Sequence, residues 1–400
     1  MRIAVVTEWH DRVGGIEAYL EAVIPALAAR HEVGFWSANA ARPGRQPMAL
    51  PPRVAMLVAG AAPRDAAAEL TAFAPEVIFA HGLSDSVVEA RLHALAPTVV
   101  VEHTYHGTCI SGSKTMAWPS IQPCHRRFGP ACLALYLPRR CGGRSPVTMA
   151  RLYRTQSRRL DTLARCRAIV TFSTHMKDEL VRHGLTQVVV VPPFVTPGVI
   201  LPRATASEGL VRRLLYLGRL ETLKGPGRLI DALPLVAGRL DAPVELTLAG
   251  DGGDRHVLEA RAGRIRDPRV TVTFAGWQDA EGRATLLSRA DALVMPSLLP
   301  EPFGLVGLEA AAAGVPTVAF ASGGVRDWLE DGETGCLAPA AGGRADLLAD
   351  AIARCIGDPA VRDQLAAAAR AAATGWTVDR HLDALEPVLT AASGRAPAVA

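Results

Sequence analysis

Short runs of apolar, often β-branched residues alternate along this chain with longer segments whose apolar positions recur every three to four residues. In the first half, Arg2–Thr7, Glu76–Ala80, Thr98–Glu102, Ala168–Phe172 and Val188–Val191 read as buried strands. Between them Ile16–Arg30, Ala66–Ala74, Ser84–Ala94, Tyr153–Arg165 and His175–His183 read as helices. After an irregular Pro-rich piece at 192–198 the rhythm resumes, with strands at Arg213–Leu217, Glu245–Ala249, Val270–Phe274, Ala292–Met295 and Thr317–Ala319. Its helices are Gly225–Ala237, Arg255–Gly263, Ala280–Ser288, Phe303–Ala313, Val325–Asp331 and Ala345–Ile356. Apolar strands alternating with helices predict an α/β fold with parallel sheets covered on both faces. The simplest architecture is two doubly wound domains, 1–195 and 196–376, joined by a hinge near 192–200. A helix over 377–392 and a flexible tail at 393–400 follow. Ligands are then expected at the C-terminal ends of strands and in a deep inter-domain cleft.

Composition narrows the class. Apolar residues make up 49% of the 400 positions and charged residues 20%, which excludes a disordered chain. No run approaches the ~20 apolar residues of a spanning helix, and the first residues are too short an apolar run for a signal peptide. The expectation is a soluble, cytoplasmic protein. The formal charge of +4 hides an asymmetry, +8 over residues 1–200 and −4 over 201–400. Between His103 and Arg167 stand 12 basic side chains and one acid, Asp161. Such a segment attracts anions, whether phosphate groups, an acidic lipid surface or nucleic acid; a solvated Arg-rich helix is the plain alternative. Nucleic acid fits less well, because the aromatic residues needed for base stacking are thin there.

Candidate chemistry concentrates at strand ends. In Pro300-Glu301-Pro302-Phe303-Gly304-Leu305, the loop tip carries Glu301 and the following helix start offers the backbone amides of Phe303, Gly304 and Leu305 to an anion. Glu301 and Glu309 lie about two helical turns apart and can address one elongated ligand. Carboxylates accept paired hydrogen bonds from vicinal diols, so the pair suits a molecule with a sugar at each end. In Leu217-Gly218-Arg219-Leu220-Glu221-Thr222-Leu223-Lys224, Arg219 and Lys224 offer fixed positive charge suited to diphosphate. Gly250-Asp251-Gly252 and Gly276-Trp277 are Gly turns at the next strand ends. Gly14-Gly15-Ile16-Glu17 opens the first helix, where amides can face a phosphate or an acceptor. His103 and His106 follow a strand. Cys109, Cys124, Cys132 and Cys141 supply enough thiols for a tetrahedral zinc site, although no C-x2–4-C knuckle is present; free or redox thiols are the other reading.

Glu301-Pro-Phe-Gly-Leu through Glu309 resembles the E-x7-E motif of family 4 retaining glycosyltransferases with the GT-B fold, and the Gly218-Arg219 to Lys224 segment is similar to that family's G-R-x5-K-G element. The resemblance spans nearly the whole chain. It implies two Rossmann-like domains and a last helix that returns to the N-terminal one. It implies that Glu301 contacts the transferred sugar, Glu309 the nucleotide ribose, and Arg219 and Lys224 the pyrophosphate. Gly14, Gly15, Gly218, Gly250, Asp251, Trp277, Phe303, Gly304 and Leu305 would complete the donor site. Glu17 and His106 would face the acceptor, and His103 would hydrogen-bond the donor sugar, with His106 as its rival. Thr104 stands where the family often has Asp, and 104–150, with its Cys-rich insertion, is the least typical stretch.

The implied reaction moves a sugar from a nucleoside diphosphate, UDP or GDP, to a hydroxyl with retained configuration. It needs no metal cofactor, any zinc being structural. The acceptor expected from the basic 103–167 region is anionic, an acidic saccharide or a lipid phosphate reached by peripheral contact with the inner membrane face. A phosphorylase, an epimerase and an inactive sugar-nucleotide-binding protein are the alternatives.

Overall fold

The computed structural model describes residues 1–11, 15–42, 46–59, 63–195, 201 and 211–395. They divide into two units: 1–114, 125–196 and 377–400 in the first, 115–124 and 197–376 in the second. The first unit contains the strands β1 (Arg2–Trp9), β2 (Glu32–Asn39), β3 (Ala55–Ala59), β4 (Val77–His81) and β5 (Thr98–Val101). The helices α1 (Gly15–Arg30), α2 (Pro63–Phe73) and α3 (Ser86–Leu95) connect them. A small antiparallel pair, β6 (Thr115–Met116) and β7 (Gln122–Pro123), belongs to the second unit. The chain then returns through α4 (Ala131–Arg139), α5 (Pro146–Leu163), β8 (Ala168–Thr171), α6 (Thr174–Arg182) and β9 (Val188–Val190).

The first sheet is parallel in the order β3-β2-β1-β4-β5-β8-β9. The strand order reverses at β1, which pairs Val5 with Phe35 on one side and Phe79 on the other. The central strands β4, β5 and β8 are buried along their whole length, which is why they read as unbroken apolar runs rather than alternating ones.

The second unit begins with β10 (Arg212–Leu217) and α7 (Pro226–Leu240), then β11 (Val244–Ala249), α8 (Arg255–Ala262), β12 (Val270–Gly276) and α9 (Ala280–Arg289). It continues through β13 (Ala292–Met295), α10 (Leu305–Ala312), β14 (Thr317–Phe320), β15 (Gly335–Ala338), α11 (Ala345–Ile356) and α12 (Pro359–Ala373). Its parallel sheet runs β12-β11-β10-β13-β14-β15, and the order reverses between β10 and β13. In an open α/β sheet that is where side chains from two outgoing loops can converge on one ligand. The core gathers Leu214, Leu246, Val294 and Val318 from the sheet with Ile230, Leu233, Leu348 and Ile352 from α7 and α11.

The final helix α13 (Val378–Ala392) packs on α1 and belongs to the first unit, burying His381, Leu382, Leu385 and Leu389. The architecture is GT-B, two parallel-sheet Rossmann-like units. Three expectations change. The helix expected at Val325–Asp331 is one 3-10 turn, Gly324–Asp327, because Trp328 turns inward and donates from Nε1 to the Phe303 carbonyl at 2.8 Å. Residues 115–124 join the second unit, where Ile121 packs on its core, so 104–150 is not one body with the first. Strands β2, β3 and β15 and helices α4 and α12 add to the expected set. Gly14, part of the 192–200 hinge and the end of the expected tail lie outside the described residues. Among the described residues no helix is long and apolar enough to cross a membrane.

Candidate functional site

Five loops leaving the C-terminal edge of the second sheet are tied to one another by hydrogen bonds. After β10, the Gly218 amide donates to the Ala249 carbonyl (3.1 Å) and that of Leu220 to Asp251 (2.9 Å). Asp254 Oδ2 accepts from both the amide and the hydroxyl of Thr222, each at 2.6 Å. The Gly250 amide reaches the Gly276 carbonyl at 2.7 Å, joining the β11 and β12 exits. The loop after β13 is held by the Leu298 amide donating to Leu223 (2.9 Å), and the loop after β14 by the Gly324 amide donating to Glu301 (2.7 Å). These bonds hold the loop backbones in fixed register with one another.

Into this frame project Lys224 and Glu301. The Lys224 Nζ donates to both carboxylate oxygens of Glu301, at 2.8 and 3.0 Å, and the Ser297 hydroxyl donates to Oε1. Glu301 is buried whereas Lys224 keeps about a quarter of its side chain exposed, 25%. A carboxylate so fixed has its orientation set and retains lone pairs for hydroxyl donors. Lys224 is the last residue of the 3-10 turn Thr222–Lys224, capped by Gly225, whose φ of 76° and close approach to Pro296 only glycine accommodates. Arg219 is mostly exposed; its guanidinium pairs with Glu221 at 2.7 Å. The Arg219 carbonyl accepts from the buried Tyr216 hydroxyl at 2.6 Å, and burial pushes that phenol far above its usual range, so it stays a donor.

The motif's second half forms α10. Gly304, at φ 96°, caps the helix, and Leu305 begins it, so Leu305 and Val306 carry first-turn amides without intrahelical partners. The Phe303 ring is buried, 5.5 Å from the Trp376 ring, and its carbonyl accepts from Trp328. Glu309 Oε2 lies 3.3 Å from Arg283, and burial raises its carboxyl above the ordinary value while Arg283 pulls the other way. Each motif glutamate therefore faces a cation. Trp277 stands at the β12 exit with over half its surface exposed, 57%. Asp251 turns back to accept from the Gly252 amide at 2.9 Å.

In the first unit His103 sits in a ring cluster beyond the ends of β4, β5, β8 and β9. Its Nε2 is 3.2 Å from His81 Nδ1, and the rings of Tyr19 and Phe172 stand 6.1 and 5.2 Å away. Burial depresses the His103 imidazole to about 4, so it is neutral at pH 7. On α13, His381 Nδ1 donates to the Pro192 carbonyl at 2.8 Å; a carbonyl only accepts, so Nε2 accepts the Tyr19 hydroxyl at 2.7 Å. His106, by contrast, is exposed and covers Gly112. Gly15 and Glu17 lie in the first turn of α1, and Gly14 is outside the described residues.

Among the described residues no three His, Cys, Asp or Glu side chains are arranged to hold a metal ion. Cys109 is turned to Ser111 (3.4 Å) and the Lys114 amide (3.3 Å), while Cys132 and Cys141 point to the Arg127 and Leu135 carbonyls. These three thiols of the first unit each have a partner within six residues along the chain.

Ser297, Tyr216, Arg283 and Trp328 were not singled out from the sequence. Ser297 is a lone serine after a strand, and only its hydrogen bond to Glu301 distinguishes it. Arg283 lies on α9, so no local spacing links it to Glu309.

A profile described as "Glycosyl transferases group 1" matches residues 203–372, and one described as "Glycosyltransferase Family 4" matches 13–198. The glycogen synthase of Mycobacterium tuberculosis is 38% identical over 216 residues, covering 51% of this chain and 49% of that protein. The chain thus spans about half the length of the curated relatives it matches. Among solved structures, sucrose-phosphate synthase from Thermosynechococcus elongatus superposes with a TM-score of 0.70 at 20% identity, covering 98% of this chain and 100% of the other. HepE of Anabaena, in complex with UDP and glucose, superposes with a TM-score of 0.66 at 19% identity, covering 97% and 99%.

Proposed function

Since this chain belongs to the family 4 glycosyltransferases, we propose that it transfers a sugar from a nucleoside diphosphate to a hydroxyl acceptor with retention of configuration. One observation carries the reading: the Lys224–Glu301–Ser297 cluster at the reversal point of the second sheet, beside the first amides of α10.

The barrier is departure of the diphosphate from the anomeric carbon. That C–O bond breaks, a bond from the acceptor oxygen forms on the same face, and the acceptor proton passes to the departing phosphate oxygen. Negative charge grows on the diphosphate, and Lys224, Arg219 and the α10 amides supply compensating charge and donors without metal. A diphosphate arriving there competes with Glu301 for Lys224. Released from part of that pair, the Glu301 carboxylate is free to accept sugar hydroxyls. In this reading Glu301 orients the sugar and is not a nucleophile. Glu309, Trp277 and Gly250-Asp251 take the nucleoside end, where the Glu309 carboxyl, held beside Arg283, faces ribose hydroxyls and exposed Trp277 offers a ring face. HepE, crystallised with UDP and glucose, is the neighbour that makes UDP-glucose the first donor to try.

The test is a thermal-shift and calorimetric panel of UDP, GDP and their sugars on the intact chain, because a ligand bound to the folded state alone raises the melting temperature by mass action. The expected result is stabilisation by one nucleoside diphosphate and its sugar, weakened in Lys224→Ala. Silence across the panel overturns the reading. Product analysis with labelled donor and a panel of hydroxyl acceptors then separates transfer from binding alone: a donor that binds but is never consumed overturns the catalytic part.

A further inference from the structure

The basic segment of the first unit plays no part in the chemistry above, and the structure gives it a shape. Of the 12 basic side chains between His103 and Arg167, two are turned inward. Lys114 is buried against Glu179, and Arg159 is buried between Glu89 and Glu102. The rest lie mainly on the α4–α5 hairpin.

On α5, Gln156, Arg159, Thr162 and Leu163 face the interior. A neighbouring face carries Val147, Arg151, Arg154 and Arg158, all exposed. At 100° per residue these four fall within a wedge of about 60°. Among the described residues none of the three arginines is paired with a carboxylate, and Asp161 is the lone acid of the whole segment. Val147, at the head of the stripe, is 79% exposed, and Leu137 near the end of α4 is 40% exposed. Exposed Arg144 lies on the turn between the helices. Unpaired arginines along one helix face, beginning at an exposed apolar residue, suit a layer that is anionic outside and apolar beneath. A polyanion such as nucleic acid has use for the arginines and none for Val147 or Leu137.

We propose that the exposed face of the α4–α5 hairpin docks on an anionic membrane surface, Arg151, Arg154 and Arg158 meeting lipid phosphates while Val147 and Leu137 enter the interface. The surface shares no residue with the donor site, so the inference stands or falls independently of the glycosyl-transfer reading. Each arginine near an anionic leaflet contributes roughly a fivefold gain in partitioning at moderate salt, so the triple charge reversal is expected to weaken binding by at least ~100-fold.

The experiment is co-sedimentation of the intact chain with phosphatidylcholine vesicles, with and without phosphatidylglycerol, at low and high salt. The variants are Arg151→Glu/Arg154→Glu/Arg158→Glu and Leu137→Ser/Val147→Ser, all surface positions whose folding is checked by circular dichroism. A labelled oligonucleotide is titrated in parallel. Salt-sensitive binding to the phosphatidylglycerol vesicles, lost in the arginine variant and weakened in the serine variant, is the expected result. No vesicle binding, equal binding to neutral vesicles, or indifference to the serine substitutions overturns the proposal. So does binding of the oligonucleotide in place of the vesicles.

Discussion

At the residue scale the decisive arrangement is a buried carboxylate held by one ammonium and one hydroxyl. Lys224→Ala leaves Glu301 with Ser297 alone. Loss of one preorganised charge contact of this kind costs about 100–1,000-fold in rate, and that loss in kcat/KM, with the circular dichroism spectrum unchanged, is the expected outcome. Near wild-type turnover would remove Lys224 from the machinery. The buried histidines make a second residue-scale statement. His93, His103 and His381 are each held down to about 4 by burial, against an ordinary value of 6.5. Between those limits the unfolded chain takes up protons that the folded chain refuses. Stability is therefore complete above about 6.5 and falls as pH drops toward about 4, with a slope approaching ~1.4 kcal/mol per pH unit for each such histidine. Urea midpoints measured from about pH 7.5 down to about pH 5 are expected to fall accordingly, and less steeply in His381→Phe. A flat profile contradicts the assignment.

At the element scale the site depends on loops whose paths are set by close backbone approach. A Cβ on Gly225 would sit 1.8 Å from the Pro296 carbonyl oxygen, at a φ of 76° that side chains rarely adopt. Gly225→Ala must push the β10 and β13 exits apart, carrying Lys224 away from Glu301. Strain of ~1–3 kcal/mol corresponds to a drop in melting temperature of roughly 3–10 °C, accompanied by weakened UDP-sugar stabilisation. An unchanged melting temperature would show that the loop has slack. The elements differ in how legible they were. Strands buried on both faces, such as β4 and β13, announce themselves as unbroken apolar runs. Strand β2 mixes Gly34, Trp36 and Ser37, and α12 is an Ala-rich helix whose buried face includes Arg362, paired with Asp291 at 3.0 Å. Neither carries a clean period, because long-range partners fill roles that side-chain hydrophobicity fills elsewhere.

At the scale of the whole molecule the last helix completes the first unit. Leu382, Leu385 and Leu389 are buried there, and His381 bridges Tyr19 and Pro192. Three buried leucines contribute about 5–9 kcal/mol by area alone, comparable to the ~5–15 kcal/mol that keeps a domain folded. A chain ending at Trp376 is expected to lose the cooperative melting transition of the first unit in calorimetry while that of the second persists. A first-unit transition at the original temperature would show that α13 is dispensable.

The amino-acid order by itself determined the α/β alternation, the two parallel sheets and the strand-exit positions of Glu301, Lys224 and Arg219, because burial on both faces and helix starts are local patterns. It also carried the family motif, whose spacing lies within one loop and one helix. Only tertiary structure decided which side chains meet. Lys224 and Glu301 are 77 residues apart in sequence, and Tyr19 and His381 are 362 apart. Tertiary structure also decided that, among the described residues, no three metal-ligating side chains come together around the cysteines that a count of thiols would group. Contact between distant residues is fixed by how strands order themselves in the sheet, and no local periodicity encodes that order.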